Sequence, residues 1–203
     1  MQGTIRKRRC GFHWMRIGFA ERSFSIPYLG ALILIIVLLS IWIVGELPKN
    51  GLRWALFAAV YLTSGLIYSN LGVWLHEHLH CLAYRGGEKN RTTIHFSRRF
   101  FLFLDGHYQV QGPIDYRTNK RALFAPAFLA AAWVLLGIAG NLFLPGWWLP
   151  VMLTLAALSL MDMIHDFYML LKMKPVGDKG KYWDTGKYME VVWKEEPDCQ
   201  GNL

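Results

Sequence analysis

Two histidines and a glutamate at helical spacing are the residues of this sequence that most directly indicate chemistry. They occur in the segment His76-Glu77-His78-Leu79-His80, which matches the H-E-x-x-H pattern of zinc-dependent hydrolases. On a helix, His76 and His80 lie one turn apart on the same face, so both imidazoles can bind one metal ion. Glu77 adjoins the first of them and can take a proton from water that the metal activates. The pattern predicts a hydrolytic zinc site.

A catalytic zinc ion needs a third protein ligand, and Asp162 and Asp166 are the candidates. On a helix, the midpoint of His76 and His80 would lie about 10 Å before Arg85, the basic residue that ends this apolar run. Asp166 would lie about 9 Å before Lys172, the basic residue that ends a later apolar run, and Asp162 about 15 Å before it. We therefore predict Asp166 as the third ligand and keep Asp162 as the alternative. Because the two are four residues apart, one could bind the metal while the other orients a ligand.

The other histidines near the motif are predicted to have lesser roles. His78 lies between the two ligands in sequence and should point away from the metal. His165 is one position off the face of Asp166, so we expect it beside the site or at the membrane interface. His107 belongs to a later polar segment and could approach the site.

Four long apolar runs must position these residues, at about 26–45, 54–84, 122–144 and 149–171. About 20 helical residues cross the hydrocarbon core of a bilayer, so each run is long enough to span it. Hydrophobic residues make up 54% of the 203-residue chain, and its mean hydropathy is +0.23. Titratable side chains inside such helices are rare unless they have a function. The sequence predicts an all-α membrane protein, a single integral domain over residues 1–203 with four transmembrane helices.

The polar segments are a basic N-terminus (1–25), an insert between the second and third helices, and a tail (176–203). Within the insert, Thr92–Leu104 is rich in β-branched and aromatic residues, and Asp105-Gly106 precedes a second such run. This order predicts a β-hairpin that turns at Asp105-Gly106. The hairpin would cap the helices, or its edge would pair with an extended peptide. A short strand-like stretch is also present at Met189–Trp193.

The distribution of basic residues predicts the orientation. The segments 1–26, 85–121 and 172–203 contain six, eight and six Lys or Arg residues, whereas the two remaining loops contain only Lys49 and Arg53. This bias predicts a multi-pass protein with both termini in the cytoplasm. The net charge is +8, and the basic residues flank the apolar runs. This position indicates contact with the lipid bilayer and no nucleic-acid partner.

The chain around the motif resembles the zincin peptidase family of small bacterial membrane proteins, which are distant relatives of the site-2 proteases. The similarity extends from about Leu75 to Asp184. It includes the segments Arg121–Pro126, Asp166–Lys172 and Asp184–Gly186.

The resemblance implies a zinc ion held by His76, His80 and an aspartate, with Glu77 as the base. Two features depart from the pattern. His165 stands where the family usually has a small residue before its aspartate. The Asn-Pro-x-x-Asp-Gly motif of better studied site-2 proteases is absent.

We therefore predict a zinc metallopeptidase of a bacterial inner membrane that hydrolyses a membrane or membrane-proximal protein near the cytoplasmic face. His76, His80 and Asp166 would hold the metal, and Glu77 would be the catalytic base. One alternative is a zinc hydrolase that acts on a lipid-linked or small amide substrate. Another is a non-catalytic membrane interaction protein with a structural or degenerate metal site. The sequence leaves the substrate and the oligomeric state open.

Overall fold

The computed structural model describes residues 6–7, 12–46, 52–84, 92–99, 103–144, 146–186 and 188–194. The first apolar run forms helix α1 (Arg22–Glu46). The second forms α2 (Arg53–Ile67), a π-helical turn (Tyr68–Gly72) and α3 (Val73–Ala83), which follow one another without a break. Arg8, Arg9 and Lys49, which contribute to the predicted orientation, lie outside the described residues.

The third and fourth apolar runs are each divided into two helices. These are α4 (Tyr116–Phe124), α5 (Ala127–Gly140), α6 (Trp148–Asp162) and α7 (Ile164–Met173). Between α4 and α5 lies Pro126, which lacks an N–H and interrupts the helical hydrogen bonds. Between α6 and α7 lies Met163, where the axis bends by 42°. The fourth run is therefore a bent pair of helices, whereas the sequence predicts one helix that carries both aspartates.

Within the described residues, three helical segments are long and apolar enough to cross a membrane. They are Arg22–Gly45, Arg53–Ala83 and Tyr116–Gly140. The bent pair of α6 and α7 makes a fourth if it is counted as one span. The predicted fold class is confirmed in this coarser form: the chain is mostly helical, with three to four candidate membrane spans and small antiparallel sheets.

Close packing of α5 on α6 uses small residues. A Cβ added to Gly137 would lie 2.9 Å from the Cβ of Met152, so only glycine allows this separation of the helices. Gly140 likewise leaves room for the indole of Trp148. Around this contact, one apolar cluster joins α1, α2, α5 and α6. Its buried members include Ile43, Val60, Leu129, Trp133, Val151 and Leu155.

The first and the last described segments of the chain join one five-stranded antiparallel sheet. Its strands, in spatial order, are β1 (Arg6–Lys7), β2 (Phe12–Ile17), β7 (Met189–Lys194), β6 (Gly180–Asp184) and β5 (Ile114–Asp115). The strand-like stretch predicted in the tail is β7, whereas β2, its partner, was not predicted. Apolar side chains of the sheet pack against α4 and α7 and fix it to the ends of these helices. The buried residues of this cluster are Ile17, Leu123, Tyr168, Met173, Tyr182, Met189 and Val191.

The predicted hairpin is present, but its turn is not at Asp105-Gly106. Strands β3 (Thr92–Arg99) and β4 (Phe103–Val110) pair in register, and Asp105 and Gly106 lie within β4, opposite Ser97 and Phe96. The connection between the strands lies outside the described residues. A Cβ at Gly106 would lie 2.8 Å from the Cγ of Glu77 and 2.9 Å from the Phe96 ring. Glycine is therefore required there for close approach to α3, and the prediction of a turn at this dipeptide is wrong.

Candidate metal centre

Three side chains from α3 and α7 converge on one point. The Nε2 atoms of His76 and His80 lie 3.1 Å apart. Asp166 Oδ2 lies 3.3 Å from the first nitrogen and 3.5 Å from the second. All three residues are buried, and together they could hold a metal ion. The structure thus brings together the three residues that the sequence predicts as metal ligands.

The bend at Met163 sets the position of the acidic residues. Asp162 is the last residue of α6, and Asp166 lies in the first turn of α7. A carboxylate in the first turn of a helix interacts favourably with the unpaired N–H groups of that turn and with the helix dipole. Because the axis bends between them, the two aspartates approach His76 from different directions. Asp166 faces its Nε2 atom, whereas Asp162 faces its Nδ1 atom.

A backbone carbonyl lies behind the His80 ring and a carboxylate lies behind the His76 ring, and only the first makes a hydrogen bond to its ring. His80 Nδ1 donates to the carbonyl oxygen of Ala122 at 2.9 Å, which leaves Nε2 with a free lone pair toward the shared point. His76 Nδ1 lies 3.5 Å from Asp162 Oδ2, and that oxygen accepts a hydrogen bond of 2.9 Å from the Tyr68 hydroxyl. Metal-binding histidines are commonly oriented by a carbonyl or a carboxylate in this way.

The π-helical turn brings Tyr68 onto the face of His76. In a regular helix, eight residues would leave the two side chains roughly 80° apart around the axis. One extra residue in the π turn reduces this angle to roughly 20°. A Cβ at Gly72 would lie 2.3 Å from the Tyr68 ring, so glycine makes room for the ring along the helix. The π turn and Gly72 thus position the hydroxyl that holds Asp162.

Glu77 lies beside the converging donors and is itself buried. Its Oε2 atom has no hydrogen-bond partner within the described part of the chain. An unpaired carboxylate oxygen in a buried position is unfavourable unless a ligand or water contacts it. Gly106 of β4 covers the Cγ atom of Glu77 and limits the positions that its side chain can take.

A cavity of about 160 Å³ adjoins these residues. Its walls include Glu77 and the three donor residues, together with residues of β4, α7 and the tail. The additional polar residues in the wall are His107, Tyr108, Asp162, His165 and Asp184. The ring of Tyr108 stacks on that of His80 with centroids 4.3 Å apart, so β4 also holds the His80 ring in place.

Asp184 is a buried carboxylate on the tail side of the cavity. Burial raises its pKa to about 6, although the Gly186 N–H donates to Oδ1 at 2.8 Å and favours the charged form. Gly186 has φ +76°, and a Cβ there would lie 2.4 Å from the His107 ring. Burial also raises the pKa of Tyr108 well above its usual value, so this hydroxyl near Asp184 stays protonated.

The other histidines occupy the positions that the sequence predicts for them. His78 Nδ1 lies 2.7 Å from the Trp74 carbonyl oxygen, and its ring stacks on Phe96, away from the cavity. His165 Nδ1 accepts a hydrogen bond from the Ala20 N–H at 3.3 Å, so it lines the cavity and also binds the segment before α1.

Sequence reasoning missed Tyr68, Tyr108 and Asp184 as parts of the site. Only Asp184 had a signal, because an Asp-Thr-Gly segment is a typical turn that returns the aspartate side chain to the backbone. Tyr68 lies eight residues before His76, and nothing in the sequence marks the π turn that aligns them. No family model, curated protein or solved structure matches this chain. Support for a function therefore comes from the motif and from the geometry of the site.

Proposed function

We propose that the protein is an integral membrane zinc metallopeptidase. The observation that carries the proposal is the convergence of His76, His80 and Asp166 beside the buried carboxylate of Glu77. Tetrahedral zinc with ligand bonds of about 2.0–2.1 Å separates its ligand atoms by about 3.3 Å. The separations of 3.1, 3.3 and 3.5 Å agree with that value. Three protein ligands leave a fourth position open, as in catalytic zinc sites.

Zinc bound there would polarise the carbonyl of the substrate and lower the pKa of water. Glu77 is the base in this proposal. Its unpaired Oε2 accepts the proton of the attacking water and then passes it to the leaving amine. Asp162 and the Ala122 carbonyl hold the two histidine rings, and Gly106 holds Glu77 against the cavity.

A strand beside the cavity favours a peptide substrate. Gly106, His107 and Tyr108 of β4 line the cavity, and β4 pairs with β3 along one edge. No described strand pairs with its other edge. An extended peptide can add to such an edge through its backbone and enter the site as a strand. A lipid-linked or small amide substrate would gain nothing from this arrangement.

The sheet supports four membrane spans and a site near one face. Because β2 precedes α1 and pairs with β7 near the end of the chain, both must lie on one side of the membrane. β5 also joins this sheet between the second and third candidate spans. An even number of crossings in each interval keeps the strands of the sheet on one side, and this favours the bent pair of α6 and α7 as the fourth span. The basic residues favour the cytoplasm as that side, and the family resemblance favours a bacterial inner membrane.

Zinc content and cleavage products test this function together. Purified wild-type protein and Glu77→Gln should each contain about one zinc ion by mass spectrometry, whereas His80→Ala should contain none. In cells, N-terminal profiling of membrane proteins should reveal new termini with the wild type only. We expect Glu77→Gln to reduce cleavage roughly 10²–10⁴-fold.

Three results would contradict parts of the proposal. A wild-type protein without stoichiometric zinc would favour the non-catalytic alternative. Cleavage by Glu77→Gln at the wild-type rate would exclude the proposed base. Bound zinc with no altered protein termini, but with an altered pool of small amides or lipid-linked compounds, would favour the non-peptidase hydrolase.

A further inference from the structure

A second concavity, a groove of about 990 Å³, lies between the end of α3 and the helices α4 and α5. It shares no lining residue with the cavity at the metal centre. Its floor is apolar, and several of the side chains there are exposed, including Leu82 at 63%, Phe124 at 48% and Phe128 at 66%. Its rim is basic and consists of Arg117, Lys120 and Arg121, with Asp178 opposite.

The positive charge of the rim is only partly balanced. Arg117 Nε lies 3.7 Å from Asp178 Oδ1, and both side chains are mostly exposed, so this ion pair is weak. Arg121 donates a hydrogen bond of 3.4 Å to the Thr118 hydroxyl, which carries no charge. Lys120 contacts no carboxylate among the described residues. Three cations thus face one anion at the mouth of an apolar groove.

The groove extends from the polar end of a candidate membrane span to its apolar part. Tyr116–Gly140 is a candidate membrane span, and its basic residues occupy the polar end in α4. Phe128 lies eight residues after Lys120, about 12 Å further along the helical path. The cations therefore lie above the apolar floor along the direction in which a phospholipid places its phosphate above its acyl chains.

We propose that this groove binds an anionic phospholipid of the surrounding bilayer. Lys120 and Arg121 contact the phosphate and the anionic headgroup, and the acyl chains cover Leu82, Phe124 and Phe128. A membrane helix of another protein would cover the same floor but would leave the basic rim without a partner. The excess of positive charge therefore favours the lipid. The proposal is independent of the chemistry at the metal centre, because it involves none of its residues.

Binding of defined lipids to the full-length protein in detergent tests the proposal. The probes are phosphatidylglycerol and phosphatidylcholine with identical acyl chains, added in steps and counted by native mass spectrometry. The variant is Lys120→Gln/Arg121→Gln, and the matched control is Lys174→Gln/Lys194→Gln. Both pairs remove two exposed positive charges from described positions, but only the first pair lines the groove.

We expect phosphatidylglycerol to bind the wild type and the control with equal apparent affinity. The groove variant should bind it about 30-fold more weakly, because each basic residue near a membrane surface contributes about a factor of five or more. Soluble glycerol phosphate should not compete, since it lacks the acyl chains. Equal binding of phosphatidylcholine, equal losses in both double variants, or full competition by glycerol phosphate would each overturn the proposal. Displacement of the lipid by an apolar transmembrane peptide, with equal affinity in both variants, would assign the groove to a protein partner instead.

Discussion

Replacing Asp166 by Asn is expected to weaken zinc binding far more than the same replacement of Asp162. Asp166 Oδ2 lies within 3.5 Å of the Nε2 atoms of both His76 and His80, where a ligand must be. Asp162 Oδ2 lies 3.5 Å from the Nδ1 atom of His76, where it can only orient the ring. Both changes remove one negative charge and keep the shape of the side chain. A difference between them therefore reports the position of the carboxylate and not the charge of the site.

The expected magnitudes follow from these positions. An apparent zinc-binding free energy of about 10–16 kcal/mol over four ligands gives about 3 kcal/mol for each ligand. Loss of Asp166 should thus weaken binding more than about 100-fold. Loss of a carboxylate that orients a ligand typically weakens binding about 10–100-fold. Because Asp162 is 39% exposed and 3.5 Å from the ring, we expect the lower end, about tenfold.

Competition with chelators of graded affinity measures both losses on the purified protein. Glu77→Gln is the matched control, because it neutralises a buried carboxylate of the same site and should keep its zinc. Tyr68→Phe removes the hydroxyl that holds Asp162 and should reproduce part of the Asp162→Asn effect. Equal losses in the two aspartate variants would refute this assignment. A larger loss in Asp162→Asn would make Asp162 the ligand.

Two further predictions concern the groups that surround the centre. Gly106→Ala places a Cβ 2.8 Å from Glu77 Cγ, so peptide cleavage should fall at least tenfold while the zinc content stays complete. The control is Gly65→Ala, where a Cβ meets nothing within 4 Å, and it should leave cleavage unchanged. A Gly106→Ala variant with wild-type cleavage would exclude the proposed contact. Asp184 has its pKa raised from 3.8 to about 6 by burial, so the folded protein loses stability as pH rises through this range. Between pH 5 and pH 7.5 this group should reduce the free energy of unfolding by about 1.4 kcal/mol, and Asp184→Asn should remove that part of the dependence. Unfolding midpoints at the two pH values measure it, and an unchanged difference in the variant would contradict the buried position of Asp184.

The pairing of the motif with Asp166 could be predicted because it depends on local spacing and depth. His76 and His80 share a helix face by periodicity, and both runs end at basic residues that mark the membrane boundary. What could not be predicted is the bend at Met163, a residue type that does not break helices. Without the bend, Asp162 and Asp166 would share one face of one helix. The separate directions from which they approach His76 are therefore a property of the packed structure.

Glycine gave a misleading signal in the hairpin. In the sequence, Asp105-Gly106 between two strand-like runs is a strong indicator of a turn. In the structure, the glycine leaves space for Glu77, which is distant in sequence, and for Phe96, which lies opposite it on the neighbouring strand. Local patterns cannot distinguish a glycine needed for φ from one needed for close approach. Strand β2 was missed for a related reason, because its partner β7 follows about 170 residues later.

The pairing of β2 with β7 has a consequence for the synthesis of the protein. Ile17 pairs with Met189, so the partner of β2 is translated only about 170 residues after β2 itself. At about 5–20 residues per second, this delay lasts roughly 10 to 30 s. During that time β2 presents unpaired backbone groups to the ribosome and to other nascent chains, which is a risk for aggregation. A protein shortened before residue 189 would keep this strand exposed permanently. We therefore expect chains that end between residues 174 and 188 to be degraded rapidly, even though every apolar run and the whole H-E-x-x-H segment are intact.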